Sequence, residues 1–364
     1  MPGVTVGELG EPGVLARVLA QLSGARAALL GPGDDCAVLG RAGDVVVTTD
    51  TMIEGPDFRL PWHDGFELGW KLAATNLSDV AAMGARPTAL TVALAVPRDT
   101  PVVLLERIAE GLDAACRALA PGCGVVGGDL GRAPVVVAAV TALGDLEGRP
   151  PVVRSGARAG DVVAYAGDLG LAGLGLSLLF SEAVDAEGNA SADEVPRLRA
   201  SHPDAIAAQL APTPPIPLGV EAAEAGATAM MDVSDSLSID AERLARASGV
   251  RVDFSAELLV SGFGRRGSGV RGGGLEPAEP GSQGQPAVEM PIDAMLFGGE
   301  DHGLLATFPA GAALPDGFRP IGAVLAGEAA PGTGGAPGAL VALDGAPLTV
   351  RGWDPYTVQV PGVV

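Results

Sequence analysis

Apolar strand-like segments alternate with helical segments along the chain, and this alternation restricts the fold more than any other feature of the sequence. Residues 45–49 are valines and threonines and predict a strand. Residues 66–85 have the spacing of a helix, which is expected to stop at Gly84. A buried strand over 88–97 and a helix over 102–120 follow. Because the alternation continues in the second half, we predict a mixed α/β (α+β) layer architecture.

A break in this pattern at 147–161 divides the 364 residues into two halves, which suits a size of roughly 150 residues per domain. We predict an N-terminal domain over 1–148, built on a mixed sheet with helices, and a C-terminal α/β domain over 149–364. The Gly/Pro-rich stretch at about 261–290 predicts a mobile insertion. Residues 211–219 contain too much proline for any regular element.

Charge and composition exclude several classes of protein. The chain has 23 basic and 44 acidic residues, which argues against nucleic-acid binding. Lys71 is the only lysine and lies between Trp70 and Leu72, so a Walker A loop is impossible. No apolar run approaches the ~18–20 residues of a membrane span. Neither a basic signal segment nor a C-x-x-C pair is visible, so we expect a cytoplasmic protein without membrane association or structural zinc.

Short acidic turns follow several apolar segments, where open α/β sheets place their ligands. Their carboxylates are Asp35, Asp50, Asp79, Asp129, Asp232 and Asp235. Two like charges ~4 Å apart repel by about 4 kcal/mol at an effective dielectric near 20, so converging carboxylates require cations. Oxygen ligands select Mg²⁺ or Mn²⁺, which commonly share ligands with substrate phosphates. The turns therefore indicate either a multi-metal phosphoryl-transfer site or a set of unrelated turns.

The motifs, taken in order, favour the first alternative. They are "GDDCAVL", "TTDTMIEG", "GWKLAATNLSDVAAMGARP", "GGDLGR", "RSGARAGD", "MDVSDSLSID" and "GGED", with a weaker "GWDPY". This set resembles the thiamine-monophosphate kinase family, within the ATP-binding superfamily of aminoimidazole ribonucleotide synthetase. The resemblance implies a two-domain fold of that superfamily and a homodimer formed through the N-terminal domain, which also binds ATP and metal. It implies transfer of phosphate from ATP to thiamine monophosphate, with several Mg²⁺ ions and no separate catalytic residue.

Positions matched to the family's motifs imply roles for individual residues. The implied metal-site residues are Asp35, Thr48, Thr49, Asp50, Asp79, Asp129, Asp232 and Asp235. The implied ATP-binding residues are Gly128, Asp129, Arg154 and Ser234. The implied substrate-binding residues are Asp57, Glu300 and Trp353. From helix propensity alone, Ser234 or Asp235 is the expected N-cap of the helix that follows.

Three residues depart from the family's usual motifs. Asp57 stands where a substrate-contacting His is usual, His302 stands where Tyr is common, and Ser236 replaces a glycine. A carboxylate facing the acceptor phosphate would repel it, so we expect Asp57 to turn away or join a metal, with weakened substrate affinity. The alternative is a loop that has diverged, with Pro56 redirecting the chain.

The chemistry implied by the resemblance agrees with the composition. A phosphate acceptor has a second pKa near ~6 and needs no general base at neutral pH. In-line positioning and charge neutralisation then suffice. Trp353 is a candidate for a cation–π contact with a thiazolium ring, or for simple packing on the core. The competing hypothesis is a non-catalytic or altered-acceptor protein that binds nucleotide or thiamine phosphate. Retention of nearly all the matched carboxylates favours the kinase.

Overall fold

The computed structural model describes residues 4–9, 11–30, 38–40, 43–266, 288–327 and 339–353. Its helices are α1 (Val6–Leu9), α2 (Glu11–Leu19), α3 (Gly65–Ala82), α4 (Val102–Leu119), α5 (Leu171–Glu182), α6 (Val195–Ser201), α7 (Pro203–Leu210), α8 (Pro217–Glu224), α9 (Leu237–Ser248), α10 (Ala256–Phe263) and α11 (Ile292–Phe297). None of these described helices is both long and apolar enough to cross a bilayer.

The strands form two large sheets and two short hairpin-like pairs. They are β1 (Ala28–Leu30), β2 (Val38–Leu39), β3 (Val45–Ile53), β4 (Arg86–Val96), β5 (Val125–Arg132), β6 (Val137–Asp145), β7 (Val162–Ala166), β8 (Ala229–Asp232), β9 (Val250–Phe254), β10 (Arg265–Arg266), β11 (Val288–Glu289), β12 (Leu304–Phe308), β13 (Arg319–Ala326), β14 (Val341–Leu343) and β15 (Ala346–Pro347). The predicted α/β fold is confirmed.

The first large sheet has the strand order β3-β6-β4-β5. Strand β6 runs antiparallel to both of its neighbours, and β4 and β5 are parallel. Burial alternates along β3, so its even-numbered residues face helix α3 and its odd-numbered residues face away from the helices. One face of this sheet is therefore covered by helices and the other is open.

The second large sheet has the order β15-β14-β9-β13-β7-β12-β8 and is largely antiparallel. Apolar side chains on one of its faces pack against α9 and α11, and those on the other pack against α3. The last strand of the first sheet ends at Asp145, and the first strand of the second sheet along the chain starts at Val162. The domain boundary between 148 and 149 stays a prediction.

Helix α3 lies between the two sheets and positions the site described below. It packs on β3, β4 and β6 of the first sheet and on β8 of the second. Leu68, Leu72 and Leu77 are at most 1% exposed. The N-cap of the helix is Asp64, which exchanges capping hydrogen bonds with Glu67. Because α3 packs against one sheet on one side and against the other sheet on the opposite side, it fixes the position of the two sheets relative to each other.

The crossing of α3 with α4 depends on glycine. A Cβ atom at Gly69 would lie 2.0 Å from the carbonyl oxygen of Ile108, and one at Gly111 would lie 2.0 Å from that of Phe66. The two backbones therefore approach more closely than any side chain allows, which brings α4 against the buried helix.

The structure corrects some sequence predictions. Helix α8 starts inside the proline-rich stretch 211–219, because Pro217 occupies the first helical turn, where no intrahelical N–H is needed. The N-cap of α9 is Ser236, whose side chain accepts the N–H of Ile239; Ser234 and Asp235 precede it. Helices α6 and α7 were not predicted. Most of the predicted insertion at 261–290 lies outside the described residues, but α10 extends into its start.

We expect Gly69→Ala to lower the free energy of unfolding by about 1–3 kcal/mol, because the new methyl group must push two helices apart. Denaturant unfolding followed by circular dichroism measures this change. Gly131→Ala is the matched control, since its Cβ would meet nothing closer than 3.6 Å. Equal destabilisation by both substitutions would contradict the close-crossing interpretation.

Candidate active site

Strand β3 and helix α3 bring together the first part of the site. Thr48 and Asp50 lie on the face of β3 that meets the helix. The hydroxyl of Thr48 donates a hydrogen bond to Asp79 Oδ2 at 2.7 Å. Asp79 lies in the last turns of α3. This part of the site therefore belongs wholly to the N-terminal half.

The second sheet contributes Asp232, the last residue of strand β8. Its Oδ2 accepts a hydrogen bond from the hydroxyl of Ser78 at 3.0 Å and lies 3.3 Å from His302 Nδ1. Ser78 precedes Asp79 on α3, so carboxylates from both halves of the chain meet at the end of one buried helix.

Mutual repulsion is evident in the acidities of these groups. Burial, followed by the charges of Asp232 and Asp50, raises the pKa of Asp79 to about 8. Burial and the charge of Asp232 likewise raise the pKa of Asp50. Burial alone would lower the pKa of His302, but its hydrogen bond with Asp232 raises it. The cluster thus holds more negative charge than its protein neighbours compensate.

The turn after β8 is fixed by a carboxylate that was not among the predicted site residues. Asp240 Oδ2 accepts the backbone N–H groups of Ser234, Asp235 and Ser236 at 3.1–3.3 Å. Arg243 forms ion pairs with Asp235 at 2.6 Å and with Asp240 at 2.7 Å. Asp240 and Arg243 therefore fix the conformation of the turn that carries Ser234 and Asp235.

A cleft of about 410 Å³ opens beside this turn. Its lining includes Asp57, Arg59, Asp235, Glu300 and Trp353. All three residues with implied substrate-binding roles thus face one cavity, and Asp235 joins it to the acidic cluster. The size of the cavity suits a small organic ligand.

Glu300 is held at the cleft by a buried lysine. Lys71 is fully buried on α3, and its ammonium group donates to the Glu300 carboxylate and, at 3.1 Å, to the carbonyl of Gln209. The side-chain amide of Gln209 also donates to Glu300 at 3.1 Å. Burial raises the pKa of Glu300, but the Lys71 charge outweighs this and lowers it overall. Glu300 is therefore ionised at neutral pH.

The three departures from the family motifs have distinct placements. Asp57 lines the cleft, but its Oδ2 accepts the N–H of Ile53 at 2.7 Å, so this oxygen turns back toward β3. His302 contacts Asp232 as described. Ser236 has extended backbone (φ 168°), a conformation open to any residue, so the absence of glycine causes no strain here.

Several matched residues are not joined to the cluster by any contact of the described residues. Thr49 lies on the opposite face of β3 and donates to the carbonyl of Val140 at 3.0 Å. Gly128 and Asp129 are exposed on edge strand β5. Arg154 is exposed in the chain segment that connects β6 to β7. Asp35 lies outside the described residues.

Asp50, Asp79 and Asp232 offer the oxygen donors that a hard divalent cation prefers. The raised pKa values of Asp50 and Asp79 show that charge compensation is missing, which fits cation binding at this place. Among the described residues, no three acidic, His or Cys side chains already converge as a complete metal-binding group. Further ligands would have to come from substrate phosphates, water or residues outside the described part.

Sequence reasoning missed Lys71, Ser78, Gln209, Asp240 and Arg59 as parts of the site. A signal existed for two of them: Lys71 and Ser78 are seven residues apart on α3, hence on one side of the helix, with the polar Thr75 between them. Gln209 and the contact of Arg59 with Phe180 depend on distant segments, whereas Asp240 acts through its own turn and helix, where no sequence pattern singled it out.

The chain is similar in sequence to a known protein family over the residues that form the first part of the site. The family model described as AIR synthase related protein, N-terminal domain, matches residues 33–146. These residues include β3, α3 and the first sheet, so the match covers the part of the site that carries Thr48, Asp50 and Asp79.

More specific relatives extend over most of the chain. The thiamine-monophosphate kinase of Mycobacterium tuberculosis is 38% identical over 327 residues, covering 89% of this chain and 88% of that protein. A crystal structure of thiamine-monophosphate kinase from Stenotrophomonas maltophilia has 29% identity and a TM-score of 0.67, covering 92% of this chain and 95% of that one. A structure of AaThiL complexed with AMPPCP and TMP has 29% identity and a TM-score of 0.65, covering 96% and 98%. The chain belongs to the thiamine-monophosphate kinase family, a family of phosphotransferase enzymes.

We expect the free energy of unfolding of the metal-free protein to fall as pH rises from about 4 to about 8. The pKa of Asp79 is about 8 in the folded chain against an ordinary value of 3.8, so the folded state holds an extra proton within this window and loses it as pH rises. Denaturant unfolding in EDTA at pH 5 and pH 8 measures the difference. Asp79→Asn cannot ionise and should show a smaller difference. Equal stability of the unmodified protein at both pH values would contradict the repulsion described here.

Proposed function

We propose that this protein phosphorylates thiamine monophosphate to thiamine diphosphate with ATP and Mg²⁺, by direct in-line phosphoryl transfer. The observation that supports this most strongly is the meeting of Asp50, Asp79 and Asp232 beside a cleft lined by Glu300 and Trp353. AaThiL, a relative of matching fold, has been solved complexed with AMPPCP, an ATP analogue, and TMP.

The acidic cluster is the proposed place of phosphate transfer. Asp50, Asp79 and Asp232 would hold divalent cations, which supply neutralisation of the charge on the transferring phosphoryl group. Thr48 and Ser78 hold the carboxylates of Asp79 and Asp232 by hydrogen bonds, and so fix their orientation before substrates bind. Mn²⁺ meets the same ligand requirements as Mg²⁺.

The acceptor requires orientation rather than activation. A phosphate monoester is mostly ionised at neutral pH, because its second pKa is near ~6, and is already nucleophilic. His63 is buried away from this role, since burial and the Lys71 charge lower its pKa to about 3. The reaction then depends on alignment of donor and acceptor.

The cleft beside Asp235 is the proposed acceptor site. Glu300 presents an ionised carboxylate, and Trp353 presents an aromatic ring. Both features suit a substrate with a cationic thiazolium ring, through charge attraction and a cation–π contact. The backbone N–H of Trp353 donates to the carbonyl of Asp235 at 3.1 Å, which ties the aromatic wall to the acidic turn.

We expect ADP release from ATP and Mg²⁺ when thiamine monophosphate is the acceptor, and none with thiamine. Asp232→Asn should lower kcat at least roughly 100-fold, because one of the charges that organises the transferring phosphate is lost. Asp293→Asn, at an exposed position on α11, is the matched control and should leave turnover unchanged.

Absence of turnover with thiamine monophosphate would contradict the proposed reaction. If Mg²⁺-dependent stabilisation by ATP persisted in that case, the competing hypothesis of a nucleotide-binding or altered-acceptor protein would be favoured.

We also propose that the protein forms a homodimer through the open face of the first sheet. Val45, Val47 and Ile53 lie on that face of β3 and are 47%, 67% and 38% exposed. Strand β3 is also an edge of its sheet. An exposed apolar edge strand can pair with a strand of another chain. In a symmetric dimer the same apolar face of a second copy would cover these valines and Ile53.

We expect Val47→Lys to convert the dimer to monomers, because it places a charge within the proposed apolar contact. Light scattering after size-exclusion chromatography measures the mass. Val103→Lys is the matched control, since Val103 is 53% exposed on helix α4. A dimer that tolerates Val47→Lys would place the contact elsewhere.

The proposed compartment is the cytoplasm. Cys116 and Cys123 are both buried free thiols, which suits a reducing environment.

A further inference from the structure

Arg59 is a buried cation in the wall of the cleft. It is 9% exposed and lines the cavity close to Asp57 in the chain. Its guanidinium carbon lies 4.7 Å from the ring centroid of Trp62 and 4.4 Å from that of Phe180. These contacts hold the planar group in place by cation–π attraction without using its N–H donors.

The donors of this guanidinium are incompletely satisfied. Arg59 Nη2 is buried and has no hydrogen-bond partner among the described residues. Burial lowers the pKa of Arg59. The neighbouring Arg199 differs, since a hydrogen bond with Glu67 raises its pKa and Nη2 of Arg199 donates to that carboxylate at 2.7 Å.

An unpaired buried charge is costly unless a ligand compensates it. The planar guanidinium presents paired N–H donors that match the oxygens of a phosphate group. Lys71, the other buried cation near the cleft, is already occupied by Glu300 and Gln209. Arg59 is therefore the cation in the described cleft wall with capacity for an anionic ligand.

We propose that Arg59 binds the phosphate group of the acceptor substrate. This deepens the proposed function and rests on it. The assignment gives a counterpart to Asp57, which places a carboxylate at a position where the family usually has His. Arg59 places a cation two residues after Asp57 in the same cleft wall, while one oxygen of Asp57 accepts the N–H of Ile53. The cleft then offers a carboxylate to the cationic part of the acceptor and a guanidinium to its anionic part.

The test compares ligands with and without the phosphate group. Isothermal titration calorimetry would measure dissociation constants for thiamine monophosphate, thiamine and inorganic phosphate, with the full chain in the presence of Mg²⁺. We expect Arg59→Gln to weaken binding of thiamine monophosphate by about 10- to 100-fold, the loss typical of a hydrogen bond to a charged group. Binding of thiamine should change less than about twofold.

Two further variants separate charge recognition from loss of structure. Arg59→Lys retains the charge without the planar donor fork, and should bind thiamine monophosphate with intermediate affinity. Arg199→Gln removes an arginine outside the cleft and should leave binding of all three ligands unchanged. Thermal unfolding monitors whether each variant is folded, and Arg59→Lys keeps the test informative if Arg59→Gln is not.

The outcomes distinguish the subsite from the proposed function. Equal losses for thiamine and thiamine monophosphate, or no loss for either, would overturn the assignment of Arg59 to the phosphate. If the unmodified protein binds inorganic phosphate through Arg59 but does not bind thiamine monophosphate, the anion subsite stands and the proposed acceptor is wrong. If phosphate binding is also independent of Arg59, the subsite is refuted as well.

Discussion

The buried ammonium group of Lys71 is the constraint on which the arrangement of the two halves depends. A charged group with no exposure to water must be compensated inside the protein, and here the compensation comes from Glu300 and the Gln209 carbonyl in the other half of the chain. Helix α3 cannot separate from those segments without leaving an unpaired charge. The same helix carries Ser78 and Asp79, so the ion pair also sets the distance between the acidic groups of the two sheets.

The acidic cluster opposes the stability that this arrangement provides. Asp79 and Asp50 have raised pKa values because burial and like charges both disfavour their ionised forms. Hydrogen bonds from Thr48 to Asp79 and from Ser78 to Asp232 stabilise these carboxylates in part. The negative charge that remains uncompensated is available to bind a cation, which in turn can bind substrate phosphates. Uncompensated buried charge of this kind is characteristic of sites that bind a ligand, because it does not favour folding.

Much of the fold could be predicted from sequence, because apolar periodicity and helix termini are local signals. Strand β3 and helix α3 with its stop near Gly84 were visible in this way. The prediction that the acidic residues end their strands holds for Asp232 but is wrong for Asp50 and Asp129, because β3 continues to Ile53 and β5 to Arg132. The proline-rich stretch 211–219 was misinterpreted because Pro217 suits the start of a helix as well as a loop. The partners of Lys71 and the stacking of Arg59 on Phe180 could not be predicted, since they join segments more than 100 residues apart. Strand alternation alone places Thr48 and Thr49 on opposite faces of β3. Which of the two residues faces the acidic cluster depends on where α3 packs, and this could not be read from the sequence.

Ser236 links the start of α9 to the segment that leads to Trp353 in the cleft wall. Its hydroxyl accepts the N–H of Ile239 and donates to the carbonyl of Arg351 at 2.7 Å, two residues before Trp353. A glycine, usual in the family at this position, could make neither contact. Replacing Ser236 with glycine would remove the side-chain cap of α9 and one of the two hydroxyl contacts to the Arg351 carbonyl, whereas Ser238 would keep its own contact at 2.9 Å. The segment that leads to Trp353 is therefore anchored redundantly, by two serines of which each can act without the other.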